Sequence, residues 1–477
     1  MHRRTKIVAT LGPASEDPAR VAALLRAGVD VVRLNLSHGT IDDHLGRLAT
    51  TRRIAAELGR PVAVLADLPG PKVRAGAFPE GGTDLAPGAT VRFVPGTGPS
   101  GADVISVDYP RLLHDVEAGD RIVLGDGGIS LRVVGRDHRA LTAEVESGGR
   151  PQGRPGVHLS CERLQLFAPT AQDLELAEAV TAAGVEYVAL SFVRRAADVV
   201  ALREVVGRRA GIVAKIETAS ALAELPAIAD TADALMVARG DLGIDCPLED
   251  VPHLQKHIIR HCVSVGTPVI TATQMLESMI DATAPTRAEV SDVANAVFDG
   301  TDAVMLSGET AIGLHPELVV ATMSRIAARA ESEASYRQWA TRLGSEQRTW
   351  SSDVTDRITL AVSHAAWQAA VDAGAAAILC CTRTGRTVRA IARFRPECRL
   401  VGLSPDPKTV RALSLLWGVE ALQVEEYRST DEMVWFAVET AVQHGVVEHG
   451  DIALVLAGAP DRHSSAATDV LRIVRVG

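Results

Sequence analysis

The sequence predicts a closed (β/α)8 barrel of the TIM type, interrupted by a small β-barrel lid domain and followed by a C-terminal α/β domain. Three observations carry this expectation. Eight apolar runs of strand length recur, each closing on polar or small residues ahead of a helical pattern. Between the third and fourth runs the texture changes to short alternating segments punctuated by Gly and Pro. After a polar stretch near residue 350, helical and strand patterns resume.

The eight barrel runs are TKIVAT (Thr5 to Thr10), VDVVRLN (Val29 to Asn35), VAVLAD (Val62 to Asp67), EYVALSF (Glu186 to Phe192), GIVAKIE (Gly211 to Glu217), ALMVARGD (Ala234 to Asp241), PVITATQ (Pro268 to Gln274) and AVMLSGE (Ala303 to Glu309). From about Lys72 to Phe167, runs such as TVRFV, RIVLG, ISLRVV and LTAEVE suit an all-β module. Two thin connections to a barrel mouth would let that module close over substrate and exclude water. A helical segment runs from about Pro316 to Trp339, and RLGSEQRTWSSD reads as a linker. Beyond it, AAAILCCT, RLVGLS and DIALVLAG alternate with helical patterns, as in a doubly wound domain. The expected boundaries are 1–70 and 169–340 for the barrel, 71–168 for the lid and 350–477 for the C-terminal domain, expected to be regulatory.

A formal net charge of -10 argues against a nucleic-acid partner, which needs a basic face to displace counterions, and 3% aromatic residues supply few stacking platforms. The basic start is broken at Thr10, Gly12 and Pro13, and no apolar stretch is long enough to cross a membrane, so a cytoplasmic protein is expected. Six cysteines, Cys161, Cys246, Cys262, Cys380, Cys381 and Cys398, lack CxxC spacing and suit reduced thiols.

Polar residues fall at the carboxyl ends of the proposed strands, where barrels carry their chemistry: Arg33, Asn35, Asp67, Lys215, Glu217, Arg239, Asp241, Thr273 and Glu309. Any one alone could be a solvated strand end or an ion-pair member, but nine convergent groups argue for a site. Glu217 and Asp241 close neighbouring strands and could offer hard oxygen ligands to Mg2+ or Mn2+. Lys215 shares the face of Glu217, either to neutralise a transferring phosphoryl group or to form a salt bridge with that carboxylate. The glycines of VARGDLGID, Gly240 and Gly243, leave backbone N–H groups free to hold a carboxylate or phosphate.

RLNLSHG (Arg33 to Gly39), VAKIE (Val213 to Glu217), VARGDLG (Val237 to Gly243), TATQMLESM (Thr271 to Met279), PTRAEVSDVANAV (Pro285 to Val297) and MLSGET (Met305 to Thr310) closely resemble pyruvate kinases, in order and over nearly the whole chain. The resemblance implies transfer of the phosphoryl group of phosphoenolpyruvate to ADP in glycolysis, giving pyruvate and ATP, by a homotetramer. It implies that Glu217 and Asp241 bind the divalent ion, that Lys215 stabilises the phosphoryl group and that Arg33 contacts the phosphate. The main chain of Arg239, Gly240 and Asp241, with Thr273, would hold the substrate carboxylate. Nucleotide phosphates would lie near Thr10, Pro13, Asn35, His38 and Arg74. A water and hydroxyl chain with Thr273, Ser307 and Glu309 would protonate the enolate. Two other readings of the same residues are a silent paralogue that senses phosphoenolpyruvate or nucleotide and a metal-dependent barrel lyase.

Three departures modify these expectations. Many family members carry DTKGPE at the third strand and bind K+ through Asn, Ser, Asp and Thr oxygens, whereas this chain reads DLPGPK. Asn35, Ser37 and Asp67 match, but Leu68 replaces the Thr and Lys72 replaces the Glu, so a tethered ammonium is expected to make K+ unnecessary. In the lid, Arg154, Pro155 and Gly156 stand where the family has two cations and a glycine. In the C-terminal domain, CTRTGRT resembles the sugar-phosphate loop of allosteric members, with Thr382, Arg383, Thr384, Gly385, Arg386 and Thr387 as candidate contacts to a phosphorylated effector. The segment LAGAPDRHSSAATD lacks the Trp of fructose-bisphosphate-regulated relatives, so that effector is not expected.

Overall fold

The computed structural model describes residues 3–458 and 468–477, apart from 126, 161–162, 335, 337–338, 342, 344–353 and 427–428. The expected linker, except Leu343, and most of LAGAPDRHSSAATD therefore lie outside the described residues, as does Cys161.

Eight parallel strands close into a barrel. In chain order they are β1 (Lys6–Leu11), β2 (Val31–Asn35), β3 (Ala63–Asp67), then β10 (Tyr187–Leu190), β11 (Gly211–Ile216), β12 (Ala234–Ala238), β13 (Val269–Ala272) and β14 (Ala303–Leu306). Each expected run holds one strand, but from β10 onward the strands end earlier than the runs. Arg239 begins a helix (Arg239–Asp245), Glu309 lies in a helical turn (Gly308–Ala311), and Glu217 and Thr273 fall just past their strands. The backbone turns there because polar side chains at the strand ends take N–H groups away from ladder pairing.

Between β3 and β10 lies the lid, a sheet of six strands in the order β5-β4-β8-β7-β6-β9. These are β4 (Thr90–Pro95), β5 (Val104–Val107), β6 (Arg121–Leu124), β7 (Ile129–Arg136), β8 (Leu141–Ser147) and β9 (Val157–Ser160). Alternation of apolar and polar residues gives it a core of its own around Val91, Phe93, Ile105 and Leu131. One residue ties both lid connections to the barrel. Asp173 Oδ1 accepts the Gly70 N–H at 3.0 Å on the outgoing side, and Oδ2 accepts the Thr170 N–H at 2.8 Å on the returning side, closing a capping box on the helix Ala171–Ala182.

The C-terminal sheet, order β17-β16-β15-β18-β19, comprises β15 (Ala377–Cys381), β16 (Arg399–Ser404), β17 (Val419–Gln423), β18 (Ile452–Gly458) and an antiparallel β19 (Thr468–Arg475). Alternate residues of β15 serve two cores, Leu379 on one face and Ile378 and Cys380 on the other. This domain seals the barrel floor. Leu415 packs into the barrel interior with Val8, Val31, Leu65 and Ile270, the Tyr187 hydroxyl donates to Ala412 O at 2.9 Å, and Lys6 Nζ donates to Val419 O at 2.8 Å. No helix among the described residues is long and apolar enough to cross a membrane.

Candidate active site

Pairing of β2 with β3 sets Asn35 beside Asp67 and Arg33 beside Leu65, so Arg33 and Asp67 reach the same mouth. Asp67 Oδ2 accepts from Arg33 Nε at 2.7 Å, and Oδ1 lies 3.4 Å from Lys215 Nζ. Lys215 Nζ donates to Ser191 Oγ at 2.7 Å, and Ser191 in turn donates to Leu68 O at 2.8 Å. Burial by itself would raise the Asp67 carboxyl, but Lys215 and Arg33 outweigh it and hold Asp67 below its ordinary value. Burial would likewise strip the Lys215 proton, but Asp67, Glu217 and Asp241 outweigh it and hold that group above the ordinary lysine range.

Glu217 is fixed from one side only. Its Oε2 accepts the Phe192 N–H at 2.6 Å, which Phe192 presents from a left-handed backbone (φ 56°). Its Oε1 is buried and lies 2.8 Å from Lys215 Nζ, an ion pair with no other partner among the described residues. Burial pushes the Glu217 carboxyl up; Lys215 opposes this and nearby Asp241 adds to it. A buried carboxylate whose Oε1 faces only an ammonium, with a second carboxylate close by, is a donor set that fits a hard divalent cation. Among the described residues no group of three or more His, Cys, Asp and Glu could hold a metal. The fit is therefore to an ion that keeps water or substrate oxygens in most of its shell.

Lys72 reaches the same mouth. Its Nζ donates to Ser37 Oγ at 2.9 Å, although much of the side chain is exposed. Burial of the ammonium end and repulsion from Lys215 lower its pKa from 10.5, while Asp67 and Asp241 pull the other way. Asn35 Oδ1 accepts the Ser37 N–H at 3.3 Å. Of the proposed monovalent-cation ligands, Asp67 is thus engaged by Arg33 and Lys215, and Ser37 by Lys72. Between barrel and lid lies a cavity of about 300 Å3 whose lining includes His38, Lys72, Arg74, His158, Glu217 and Asp241. Burial, then the charges of Lys72, Arg74 and Arg33, keep His38 below 6.5 and so favour its neutral form. Arg74 Nη1 donates to Arg154 O at 3.3 Å, and Arg154 itself is drawn to Asp108 at 3.7 Å on the lid.

The remaining candidates divide. Thr10 is a buried strut, donating to Leu306 O at 2.9 Å and accepting from Arg33 Nη1 at 3.0 Å, whereas Pro13 is exposed. The Arg239 side chain turns away to Asp292 at 2.7 Å and to the carbonyls of Ala272 and Thr273, leaving only its main chain toward a ligand. Gly240 N–H donates to Thr273 Oγ1 at 2.9 Å, and Thr273 is held in the left-handed region (φ 68°). The buried Ser307 Oγ has no hydrogen-bond partner among the described residues. Glu309 accepts Leu276 N–H at 3.2 Å and Ser307 N–H at 2.7 Å, and burial pushes its carboxyl up.

The CTRTGRT loop lies in the C-terminal domain, held by one bond within itself and by contacts to its neighbours. Thr382 Oγ1 accepts the Gly385 N–H at 2.9 Å, Thr387 shares a hydrogen bond with Thr468 at 2.7 Å, and Arg383 pairs with Glu426 at 3.0 Å. Thr384 is exposed, and Arg386 opens the helix Arg386–Ala392. Two residues that hold the central lysine and glutamate, Ser191 and Phe192, were not singled out by the sequence. The signal was available for Ser191, a polar residue at the end of EYVALSF, but the left-handed turn that lets Phe192 N–H face Glu217 has no mark in a non-glycine residue.

Comparison with known proteins agrees with this architecture. The family model for the pyruvate kinase barrel domain matches residues 2–320, and that for the pyruvate kinase alpha/beta domain matches residues 360–474. A pyruvate kinase of Geobacillus stearothermophilus is 41% identical over 466 residues, covering 96% of this chain and 78% of the relative. One of Bacillus licheniformis is 39% identical over 485 aligned positions, covering 100% of this chain and 81% of the relative. One of Staphylococcus aureus (strain USA300) is 38% identical, with 100% and 81% covered. With both family models in sequence order on the barrel and the C-terminal sheet, and relatives matching over 96% and 100% of this chain, the chain belongs to the pyruvate kinase family of phosphotransferases.

Proposed function

We propose that this chain is a glycolytic, cytoplasmic pyruvate kinase that moves the phosphoryl group of phosphoenolpyruvate to ADP, uses Mg2+ or Mn2+, and works without K+. The observation that carries the proposal is the Lys215 ammonium, buried between Asp67 and Glu217 with Arg33 on the far side of Asp67. In the transfer the bond between phosphorus and the enol oxygen breaks, and a bond forms to a terminal phosphate oxygen of ADP. Charge spreads over the phosphoryl oxygens as this happens, and fixed cations lower the barrier without reorganising. Lys215 and Arg33 are such cations, pre-set by Asp67. Glu217 and Asp241 would hold the divalent ion, which supplies positive charge opposite the enolate and the phosphoryl oxygens. The main chain at Arg239, Gly240 and Asp241, with Thr273, would receive the substrate carboxylate, and Pro13, Asn35, His38 and Arg74 would border the nucleotide.

Protonation of the enolate carbon needs a donor with spare capacity. Ser307 Oγ has it, being buried without a partner among the described residues, while Thr273 Oγ1 already donates to Ala272 O at 2.7 Å. Glu309, bound to two backbone N–H groups, holds the turn that carries Ser307.

K+ independence is supported by Lys72 Nζ beside Ser37 and by the buried, apolar Leu68. The pair Lys72→Glu and Leu68→Thr is expected to create K+ dependence, with turnover at least about 10-fold higher in K+ than in a bulky ammonium counterion. Equal rates in the two salts would overturn this account. Assembly as a homotetramer is supported by exposed apolar side chains such as Phe298, Ile312, Leu314 and Trp435. A phosphorylated effector at the CTRTGRT loop would have to draw Arg383 from Glu426. The decisive assay follows pyruvate from phosphoenolpyruvate and Mg2+, with and without ADP and K+. Pyruvate that needs ADP but not K+ is expected; pyruvate without ADP would mark a lyase or phosphatase, and none would mark a silent paralogue.

A further inference from the structure

Both connections of the lid come down on one short loop of the barrel, Ser191 to Arg194, which follows β10. On the outgoing side Gly70 packs so closely that a Cβ would come 2.8 Å from Phe192 Cδ2 and 3.0 Å from Ser191 Cβ. On the returning side Arg194 Nη1 donates to Leu164 O at 2.8 Å. Leu164 moves with the lid, because its side chain is buried in the lid core. Its neighbours are tied there too: Gln165 N–H donates to the Tyr109 hydroxyl at 3.1 Å, and Arg163 Nε donates to Asp115 O at 3.0 Å. Any displacement of the lid body thus moves the carbonyl that Arg194 grips.

The barrel end of this bond is anchored as well. The buried Asp198 accepts the Arg194 N–H at 2.9 Å and the Arg195 N–H at 3.2 Å, and Val193 is fully buried. The same loop carries the Phe192 N–H that Glu217 accepts and the Ser191 hydroxyl that accepts from Lys215. Phe192 holds its N–H there from a left-handed backbone (φ 56°), which a non-glycine residue keeps only when its surroundings enforce it. Gly70 and Val193 enforce it from two sides, and the bond from Arg194 to the lid closes the third. A guanidinium suits this span, since its long side chain ends in a fixed fork of donors.

We infer that Arg194 is a positioning residue: by gripping the lid at Leu164 it holds the loop that aims Glu217, so that divalent-metal affinity at the mouth follows the position of the lid. The inference rests on the reading of Glu217 as a ligand of the divalent ion. With Arg194 released, the turn at Phe192 relaxes and Glu217 Oε2 loses the donor that orients it, and groups that orient a ligand set metal affinity nearly as strongly as the ligand does.

Metal binding and proteolysis of the full chain test this without turnover. Arg194→Met is expected to weaken Mn2+ binding about 10-fold, read from the free Mn2+ signal in electron paramagnetic resonance with no substrate present. It is also expected to speed chymotryptic cleavage after Phe167, which is exposed on the returning connection. In the pyruvate assay kcat falls and the Mg2+ concentration for half activity rises, and Arg194→Lys, which keeps a cationic donor, recovers most of each change. Tyr109→Phe loosens the same segment from the lid side and is expected to weaken Mn2+ binding in the same direction; it decides the matter should Arg194→Met not fold. Unchanged Mn2+ affinity in the variant that folds, or unchanged cleavage after Phe167, overturns the inference. A wild-type chain that binds Mn2+ but makes no pyruvate would instead refute the pyruvate kinase reading and leave the role of Arg194 to the binding and cleavage results.

Discussion

Asp67 accepts Arg33 at one carboxylate oxygen and faces Lys215 with the other, all within protein that shields them from water. Removing its charge would leave two buried cations without their shared counterion. Asp67→Asn is expected to lower stability by about 3–5 kcal/mol in chemical denaturation at neutral pH. Burial alone would raise this carboxyl, but Lys215 and Arg33 depress it, so its contribution is present above the ordinary carboxylate range and fades as pH falls through the lowered folded value. Lys72 carries the opposite sign. Burial of its ammonium, then Lys215, lowers its folded pKa from 10.5, so it loses its proton at lower pH than an exposed lysine. Turnover is expected to fall on the alkaline side below the ordinary lysine range. In the same window the unfolded chain holds the proton more tightly, so stability rises slightly with pH. A pH–rate profile beside a pH series of unfolding midpoints distinguishes loss of this charge from unfolding, and a parallel fall of both curves would contradict the assignment.

At the scale of the element, the lid is governed by its two connections. Asp173 takes the Gly70 N–H and caps the helix that begins after Thr170, so one buried side chain fixes where both connections leave the barrel. Gly70 is held close, because a Cβ there would come 2.8 Å from Phe192 Cδ2, next to the residue whose N–H holds Glu217. Asp173→Ala is expected to cost about 1–3 kcal/mol and to raise KM for ADP several-fold more than KM for phosphoenolpyruvate, as steady-state kinetics in both substrates would register. An equal rise in both would mean that the hinge does not set lid position.

For the whole molecule, the C-terminal domain is part of the barrel's floor. Leu415 completes the interior layer, and the buried Glu186 accepts Arg411 from the C-terminal domain at 2.7 Å and pairs with Arg52 of the barrel. Leu415→Ala is expected to destabilise the protein by about 2–4 kcal/mol, with KM for phosphoenolpyruvate unchanged because the cavity opens at the end of the barrel opposite the mouth. Calorimetry and kinetics on one preparation check both halves, and a shifted KM would show that floor and mouth are mechanically coupled.

The sequence by itself determined the barrel, the lid and the third domain, since apolar period, Gly and Pro punctuation and run length are local properties of the chain. It also brought out Lys215, Glu217 and Asp241, because in a parallel barrel every strand end points to one face. Which partners those residues take was decided only by tertiary structure. Asp67 as counterion to both Arg33 and Lys215, Ser191 under the ammonium, and Phe192 turned to hold Glu217 all join segments distant in sequence. So does the pairing of Arg395 with Asp302 beneath the floor. The reason is physical: secondary structure follows from near-neighbour sterics and burial, whereas the pairing of a buried charge depends on what the fold brings within a few ångströms of it.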